Sequence, residues 1–381
     1  MSPACEWLLR GKSMANIFFG RGKKEKLIVE CSNIGLRALQ LVVTEEEEMV
    51  IEKAFFAPWS YFLPQTEDDF LANFDTILKS LSAYCPPKQY SVYFCASDPS
   101  NYDRWIQTSK IEDEEELEEY LLGKKVMKSE ENWNSEAIIL GDSVSELKSA
   151  QDVLMHAHKR DFAQNCMDSL EDQGYELEAL DFPTQGLAAY YDFYLEEGRP
   201  AHDVMISIGW ENSILAIFHD GKLRFSHHLN FRLCDFMVLI KDKMQLDEQT
   251  ATSITRNELF DVVLAGAASS SGLMEEITDE VKEELEYLLD EIKRLFAFYV
   301  ARVIEWKTEG IERIMFFGIE ARIEALYNYL ASAFTVPCNR IIPLDSMNYS
   351  EEARARIEKE GSIEHLVNAF GLALRHLEEE E

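Results

Sequence analysis

Two stretches of the chain share one pattern of apolar runs separated by polar breaks. Lys24–Ala57 contains three such runs, with breaks at Ser32–Asn33 and at a run of four glutamates. Asp203–Ser226 repeats the pattern, with breaks at Gly209–Asn212 and Asp220–Gly221. Each stretch predicts a meander of three antiparallel strands. Because about 180 residues separate them and helical patterns follow each one, the chain is predicted to form two related α/β halves that face a cleft.

The segment between the meanders predicts a small inserted α/β module, residues 91–178. It contains the strand-like runs "SVYFCA", "EAIILG" and "AQDVLMHAH", and an acidic helical run, Glu112–Leu122. The next helix, "KRDFAQNCMDSLEDQGY", carries an apolar stripe at a spacing of four. Glu112–Glu119 is interpreted as a solvated helix face, or alternatively as a contact for a basic partner.

A long core helix is predicted to begin at Thr278. Thr278 is a favourable N-cap, and Asp279 and Glu280 follow where the helix dipole stabilises negative charge. Spacings of three and four then define one apolar stripe: Leu285, Leu288, Leu289, Ile292, Leu295, Phe296, Tyr299 and Val303. A buried strand, "IERIMFFG", and two helices are predicted to follow, and the last helix carries Gly371.

The charge of the chain limits its partners. With 37 basic and 70 acidic residues the net charge is −33, which repels nucleic acid and anionic lipid over most of the surface. The seven cysteines are scattered, so we expect reduced thiols rather than disulfides or a zinc site. No apolar run approaches the length of a membrane helix, so a cytoplasmic protein is expected.

Histidines give no clear sign of a catalytic or metal site. His156 and His158 lie two apart on a predicted strand and therefore share one face. That spacing suits a metal, but no third ligand is evident nearby. Neither a metal ligand set nor a catalytic residue is assigned.

Five motifs occur in order along Lys26–His376: "LIVECSNIGLRALQL", "KRDFAQNCMDSLEDQGYELEALDFPTQGLAAYY", "DVMISIGWENSILAIFHDGKLRFS", "IMFFGIEARIEAL" and "HLVNAFGLALRHL". In this order they resemble the PilM family of type IV pilus assembly proteins, which belongs to the actin-like ATPase superfamily and is related to FtsA. The resemblance implies an α/β, actin-like fold (ASKHA, ribonuclease H-like) of two halves with an inserted small α/β module.

On this resemblance the chain divides into a tail and four subdomains. They are the tail, 1–25; the first half (IA), 26–90, 179–200 and 362–381; the inserted, IC-like module, 91–178; the second half (IIA), 201–235 and 301–361; and a helical subdomain (IIB), 236–300.

The resemblance also places the family's nucleotide site on this chain, with replacements. In the first hairpin Glu30, Ser32 and Arg37 take the places of the family's Asp, Gly and Lys. In the second hairpin Ser207 replaces an Asp and Gly209 is retained. The polar turn of the second hairpin is filled by Glu211, Asn212 and Ser213.

The adenosine loop is altered as well. Gly318 is retained, whereas Ile319 and Glu320 replace glycines. A side chain at Ser32 obstructs the close backbone approach that phosphate needs, and Ser207 cannot supply the charge that steers magnesium. These residues are therefore predicted to form a vestigial site, at which ATP and magnesium bind weakly or not at all.

The resemblance implies a cytoplasmic scaffold, peripheral at the inner membrane, in a type IV pilus or type II secretion-like assembly platform. Its expected partner is the N-terminal peptide of a PilN-like inner-membrane protein, held near the inserted module, with "SVYFCA" and "AQDVLMHAH" close to the edge that pairs with the peptide. The alternative is an active actin-like ATPase or small-metabolite kinase of the same fold. Self-association is left open.

The N-terminal segment is basic, unlike the rest of the chain. Its cations are Arg10, Lys12, Arg21, Lys23, Lys24 and Lys26. It is interpreted as a disordered tail, or alternatively as a membrane contact in which Ile17–Phe19 and the basic cluster touch anionic lipid. Membrane contact is thus expected only through this tail or through the partner.

Overall fold

A computed structural model describes most of the chain. The described residues are 25–32, 35–44, 48–58, 67–97, 102–111, 113–123, 133–142, 150–194, 202–210, 213–219, 221–264, 272–302, 310–318, 323–341, 347–360 and 366–378. The strands are β1 Glu25–Ser32, β2 Gly35–Val43, β3 Met49–Pro58, β4 Tyr90–Ser97, β5 Tyr102–Ser109, β6 Trp133–Asp142, β7 Ala150–Lys159, β8 Glu176–Asp181, β9 His202–Ile208, β10 Ser213–His219, β11 Lys222–Leu229, β12 Arg313–Phe317, β13 Cys338–Arg340 and β14 Asn348–Tyr349. The helices are α1 Glu67–Tyr84, α2 Glu114–Gly123, α3 Arg160–Asp172, α4 Pro183–Tyr194, α5 Leu233–Met244, α6 Glu248–Asn257, α7 Leu259–Leu264, α8 Gly272–Arg302, α9 Glu324–Ser332, α10 Glu351–Glu360 and α11 Val367–Glu378.

Two sheets repeat one strand order. The first sheet runs β14-β3-β2-β1-β4-β8 and the second runs β11-β10-β9-β12-β13. In each sheet an antiparallel meander of three strands is extended by parallel strands on its first strand. This duplicated order is that of the actin-like fold, so the predicted fold class and the two predicted meanders are confirmed.

The layers follow from the alternation of side chains along each strand. Leu27 and Val29 of β1 pack under α1 and α3, whereas Ile28 faces the layer between the halves. In the second sheet Val204 packs with the helical subdomain, and Met205 faces the same middle layer. The middle layer consists of α4 and α11, so the two sheets share a single apolar core there.

Two glycines allow α4 and α11 to pack closely against each other. A Cβ added to Gly371 would lie 1.8 Å from the carbonyl oxygen of Gly186, and one added to Gly186 would lie 2.6 Å from that of Asn368. The helices therefore cross with their backbones in direct contact. Nearby, the rings of Tyr190 and Phe370 pack edge to face at 6.1 Å.

A third, three-stranded sheet forms the inserted module. Its order is β5-β7-β6, with α2 on one face. Tyr102, at the start of β5, pairs with Ala157 near the end of β7, so the chain enters and leaves the module at one place.

The described module is smaller than the expected 91–178. β4 pairs with β1 and β8, and α3 packs on the first sheet, so both lie with the first half. β4 and β7, which contain "SVYFCA" and "AQDVLMHAH", are each flanked by two strands, so each lies next to an edge strand rather than at the edge itself. The place of the peptide stays a prediction.

The long core helix is confirmed, but it begins at Gly272 rather than at Thr278. The apolar stripe extends backwards through Val281 and Ile277, both fully buried, to Met274. These contacts continue the helix through the predicted cap. None of the helices in the described residues is both long and apolar enough to cross a membrane.

Candidate functional site

The first predicted site lies on the inner face of the first sheet, where Glu30 and Arg37 are cross-strand partners. Nη1 of Arg37 lies 3.0 Å from Oε1 of Glu30, and the two side chains are 9% and 1% exposed. Nδ2 of Asn368, in the first turn of α11, donates to the same oxygen at 3.4 Å. A buried, internally paired acid and base thus occupy the place of the family's Asp and Lys.

Because each charge of this ion pair is the counterion of the other, a ligand must compete with the pair for either charge. Removing one partner of a buried pair leaves an uncompensated charge, which costs about 3–5 kcal/mol. A nucleotide phosphate competing for Arg37, or magnesium competing for Glu30, would have to overcome a penalty of this size. Oε2 of Glu30 has no hydrogen-bond partner within the described ranges, but the side chain does not reach solvent, where hydrated magnesium lies.

The thiol of Cys95 lies beside Glu30 on the neighbouring strand and is fully buried. Burial raises its pKa well above the ordinary value, and the negative charges of Glu30 and Asp181 raise the pKa further. The surroundings of Glu30 therefore already disfavour an added negative charge. A phosphate group would carry such a charge.

In the second hairpin, Ser213 holds the backbone of the turn. Its Oγ accepts a hydrogen bond from the Gly209 N–H at 3.2 Å and donates to the Phe231 carbonyl at 2.5 Å. Ser213 is 1% exposed. The Gly209 N–H, which a phosphate would require, is thus already occupied.

Trp210 turns into the core of the second half, where it is 1% exposed and Arg256 lies over its ring at 4.7 Å. The carbonyls of Gly209 and Trp210 accept hydrogen bonds from the first N–H groups of α5, at 3.2 and 2.8 Å. The hairpin therefore caps α5 and anchors the helical subdomain. Glu211 and Asn212 lie outside the described residues.

Strand pairing brings Gly318 beside the second hairpin. Phe317 is the parallel partner of Ser207, and Gly318 follows with a φ of +96°, which favours glycine. Ile319 and Glu320 fall outside the described ranges, as does the side chain of Ser32. The vestigial site as a whole therefore stays a prediction.

The described residues of the predicted site do not fit magnesium and ATP. Glu30 is neutralised by Arg37, Ser207 is uncharged, and the Gly209 N–H is occupied. We derive no catalytic step through them. Two residues of this region were not predicted from the sequence, Asn368 and Trp210. The hydrogen-bond partner of Asn368 lies 338 positions away, so no local pattern reveals it. A large tryptophan within a turn was the feature that could have pointed to Trp210.

His156 and His158 do share one face of β7, but His156 is already hydrogen-bonded to another side chain. Its Nδ1 is hydrogen-bonded to Oδ1 of the buried Asp103. Across the part of the chain that is described, no three His, Cys, Asp or Glu side chains are grouped so as to hold a metal ion.

Comparison with solved structures gives a strong likeness in fold. The chain is similar to one chain of a PilM–PilN type IV pilus biogenesis complex, at 16% identity and a TM-score of 0.73, over 92% of this chain and 98% of that one. It is more distantly similar to a Bacteroides thetaiotaomicron protein with an actin-like ATPase fold and unknown function, at 14% identity and a TM-score of 0.46, over 90% of this chain and 99% of that chain. It is also similar to the ethanolamine utilization protein EutJ from Carboxydothermus hydrogenoformans, at 10% identity and a TM-score of 0.48, over 92% and 90%.

No protein-family model matches the sequence, and no curated protein matches it. The likeness to the chain from the PilM–PilN complex, at 16% identity, concerns the fold and not the activity. This chain has the actin-like two-half fold over nearly its whole length.

Proposed function

We propose that the protein is a cytoplasmic scaffold of a type IV pilus or type II secretion-like assembly platform. It binds the N-terminal peptide of a PilN-like inner-membrane protein and does so without nucleotide. The likeness in fold to a chain from a PilM–PilN complex supports the choice of partner.

The proposal that the protein works without nucleotide is supported above all by the buried ion pair of Glu30 and Arg37. In an actin-like enzyme the corresponding charges are available to magnesium and phosphate. Here each charge is the counterion of the other. The first half thus has its internal charge balance without a ligand.

The peptide is proposed to add a strand to β6, which has only β7 as a strand partner among the described residues. Pairing along a free edge supplies backbone hydrogen bonds, and apolar anchors supply the remaining affinity. Ile139 on β6 is 37% exposed and is the anchor position that we propose. The acidic run Glu112–Glu119 is close in sequence and would attract basic residues of the peptide, most strongly at low salt.

Affinity capture from solubilised membranes of the source cell tests this proposal. The wild-type chain is compared with Ile139→Lys and with Val262→Lys, a control of matched exposure on α7 in the second half (37% and 39%). We expect wild type and Val262→Lys to retain one protein that has a single membrane span and a short N-terminal tail, and Ile139→Lys to lose it. Equal capture by all three proteins would move the peptide site away from β6. Capture of no such protein would refute the scaffold function.

Calorimetry with ATP and magnesium tests the proposal that the protein works without nucleotide. We expect no saturable binding by the wild type. The variant Glu30→Asp, Ser32→Gly, Arg37→Lys, Ser207→Asp restores the family's charges and serves as the comparison. Micromolar binding of ATP by the wild type would overturn this proposal and favour the alternative of an ATPase or kinase.

A further inference from the structure

The inserted module is a separately packed unit that docks on the body by one face. Val153 and Met155 of β7 form a small core with Leu117 and Leu121 of α2. Leu154 between them points the other way and joins the core between the two halves. One face of the small sheet therefore belongs to the module, and the other face is an interface.

This interface also contains a buried polar contact. Asp103 on β5 has a fully buried carboxylate, and its Oδ2 accepts a hydrogen bond from Oγ of Ser226 on β11 at 2.7 Å. Nε2 of His228, also on β11, lies 3.9 Å from the same oxygen. The other carboxylate oxygen is bonded to His156 of the module itself. One carboxylate thus joins the module to the second half.

Apolar side chains also hold the module on the rest of the protein: Ile138 and Leu140 pack against the core between the halves, and Trp105 packs against the core of the second half. Nη1 of Arg224 donates to the Leu140 carbonyl at 3.2 Å, and the ring of Trp105 meets the edge of Phe298 at 6.2 Å. Interfaces that mix apolar and polar contacts between parts of one chain commonly permit relative motion.

Several ionisable groups face the carboxylate. These are His156 from β7 and His227 and His228 from β11. Nearby, His158 of β7 contacts the ring of Phe182, and Glu291 of α8 acts on His227. Burial lowers the pKa of both β11 histidines below the ordinary 6.5. For Asp103, burial works to raise the pKa, but the neighbouring His156 and His228 outweigh it, so its pKa is lowered.

We propose that the inserted module is a releasable arm: Asp103, bonded to Ser226, keeps it docked on the second half at neutral pH, and acidification frees it. This inference goes beyond the scaffold function and needs no partner. It describes a motion of the free protein.

The direction of the pH effect follows from proton binding. When the module leaves, His228 returns to water and regains its ordinary pKa, whereas Asp103 keeps its bond to His156. The released form therefore binds a proton that the docked form does not. Below pH 6.5 the released-to-docked ratio rises by up to about ten-fold per pH unit, until His228 of the docked form is itself protonated. Above pH 6.5 this group contributes no pH dependence.

Double electron–electron resonance on the full chain tests the proposal. Spin labels are placed at Glu119→Cys on α2 and Glu286→Cys on α8, both exposed positions, after replacing Cys5 and Cys338 by Ser. At pH 7.5 we expect a single distance, and at pH 5.5 a second distance should appear.

Three variants separate the possible causes. Ser226→Ala removes one hydrogen bond to a charged group and should raise the released-to-docked ratio roughly 10- to 100-fold at pH 7.5. His228→Gln should lose the part of the pH response that His228 contributes, leaving at most a smaller response from His227. Arg104→Gln, an exposed neighbour on β5, should behave as wild type. Near-ultraviolet circular dichroism confirms that each protein is folded.

The proposal is overturned if the wild type gives the same distances at both pH values. It is also overturned if folded Ser226→Ala matches the wild type, or if His228→Gln keeps the full pH response. The pH series on the wild type decides the question even if a variant fails to fold.

Discussion

Replacing Gly371 by alanine should destabilise the protein, although alanine is the better helix former. Gly371 lies within α11, where the change to alanine alone would stabilise the helix by about 1 kcal/mol. The added Cβ, however, would lie 1.8 Å from the Gly186 oxygen, 2.7 Å from the Gly186 carbonyl carbon and 3.1 Å from Cβ of Tyr190. Two of these three contacts are to backbone, which cannot rotate away.

The size of the effect follows from the shift required. Side-chain Cβ atoms essentially never approach another heavy atom closer than 3.0 Å, so α4 and α11 must separate by more than an ångström. Overpacking of a core costs about 1–3 kcal/mol, and contacts between two backbones belong at the upper end of that range. After subtraction of the propensity gain, we expect a net loss of about 2 kcal/mol.

Thermal unfolding followed by circular dichroism measures this loss. Each half is comparable in size to domains for which 1 kcal/mol shifts Tm by about 2–4 °C, so a decrease of about 4–8 °C is expected. Gly186→Ala, with a nearest contact of 2.6 Å, should show a smaller decrease. Gly310→Ala is the matched control, because its added Cβ meets nothing within 4 Å. If Gly371→Ala equals or exceeds the wild type in Tm, the direct backbone crossing is refuted.

Three further predictions concern buried polar groups. In a double-mutant cycle, Glu30→Gln and Arg37→Met should each reduce the free energy of unfolding by about 3–5 kcal/mol. The double variant should lose less than the sum of the two, because it leaves no unpaired buried charge. Strict additivity of the two losses would contradict the ion pair. Ser213→Ala should lose about 1–3 kcal/mol in urea unfolding, since it frees the Gly209 N–H and the Phe231 carbonyl, and a change below 0.5 kcal/mol would show that these bonds contribute little. The Cys95 thiol should resist alkylation at pH 8 in the native protein and react on unfolding, because burial raises its pKa, and rapid native labelling mapped by mass spectrometry would contradict this.

Local patterns were sufficient to predict both meanders and the stripe along α8. They were insufficient where the deciding contact is distant in sequence. β4 was placed in the module because its own residues do not reveal that it pairs with β1, some sixty positions earlier. The start of α8 was misplaced because Thr278 is a reasonable cap and only packing shows that Ile277 is buried.

The candidate site shows the same division. The replacements at Glu30, Arg37 and Ser207 could be read from the sequence, since they stand in recognisable motifs. The pairing of Glu30 with Arg37 could not, because it depends on strand register and on burial beneath α11. The hydrogen bond between Asp103 and Ser226 joins residues that are 123 positions apart on different sheets, so no local sequence pattern predicts it.

The pairing of Tyr102 with Ala157 makes the inserted module an exchangeable cassette. Opposed residues on antiparallel strands have Cα atoms about 5 Å apart, so a short linker could rejoin the body after excision of everything between them. A loop of any length closed at such a point adds little strain to the host fold. Modules of different size and specificity could therefore be grafted at this position while the two actin-like halves stay as they are.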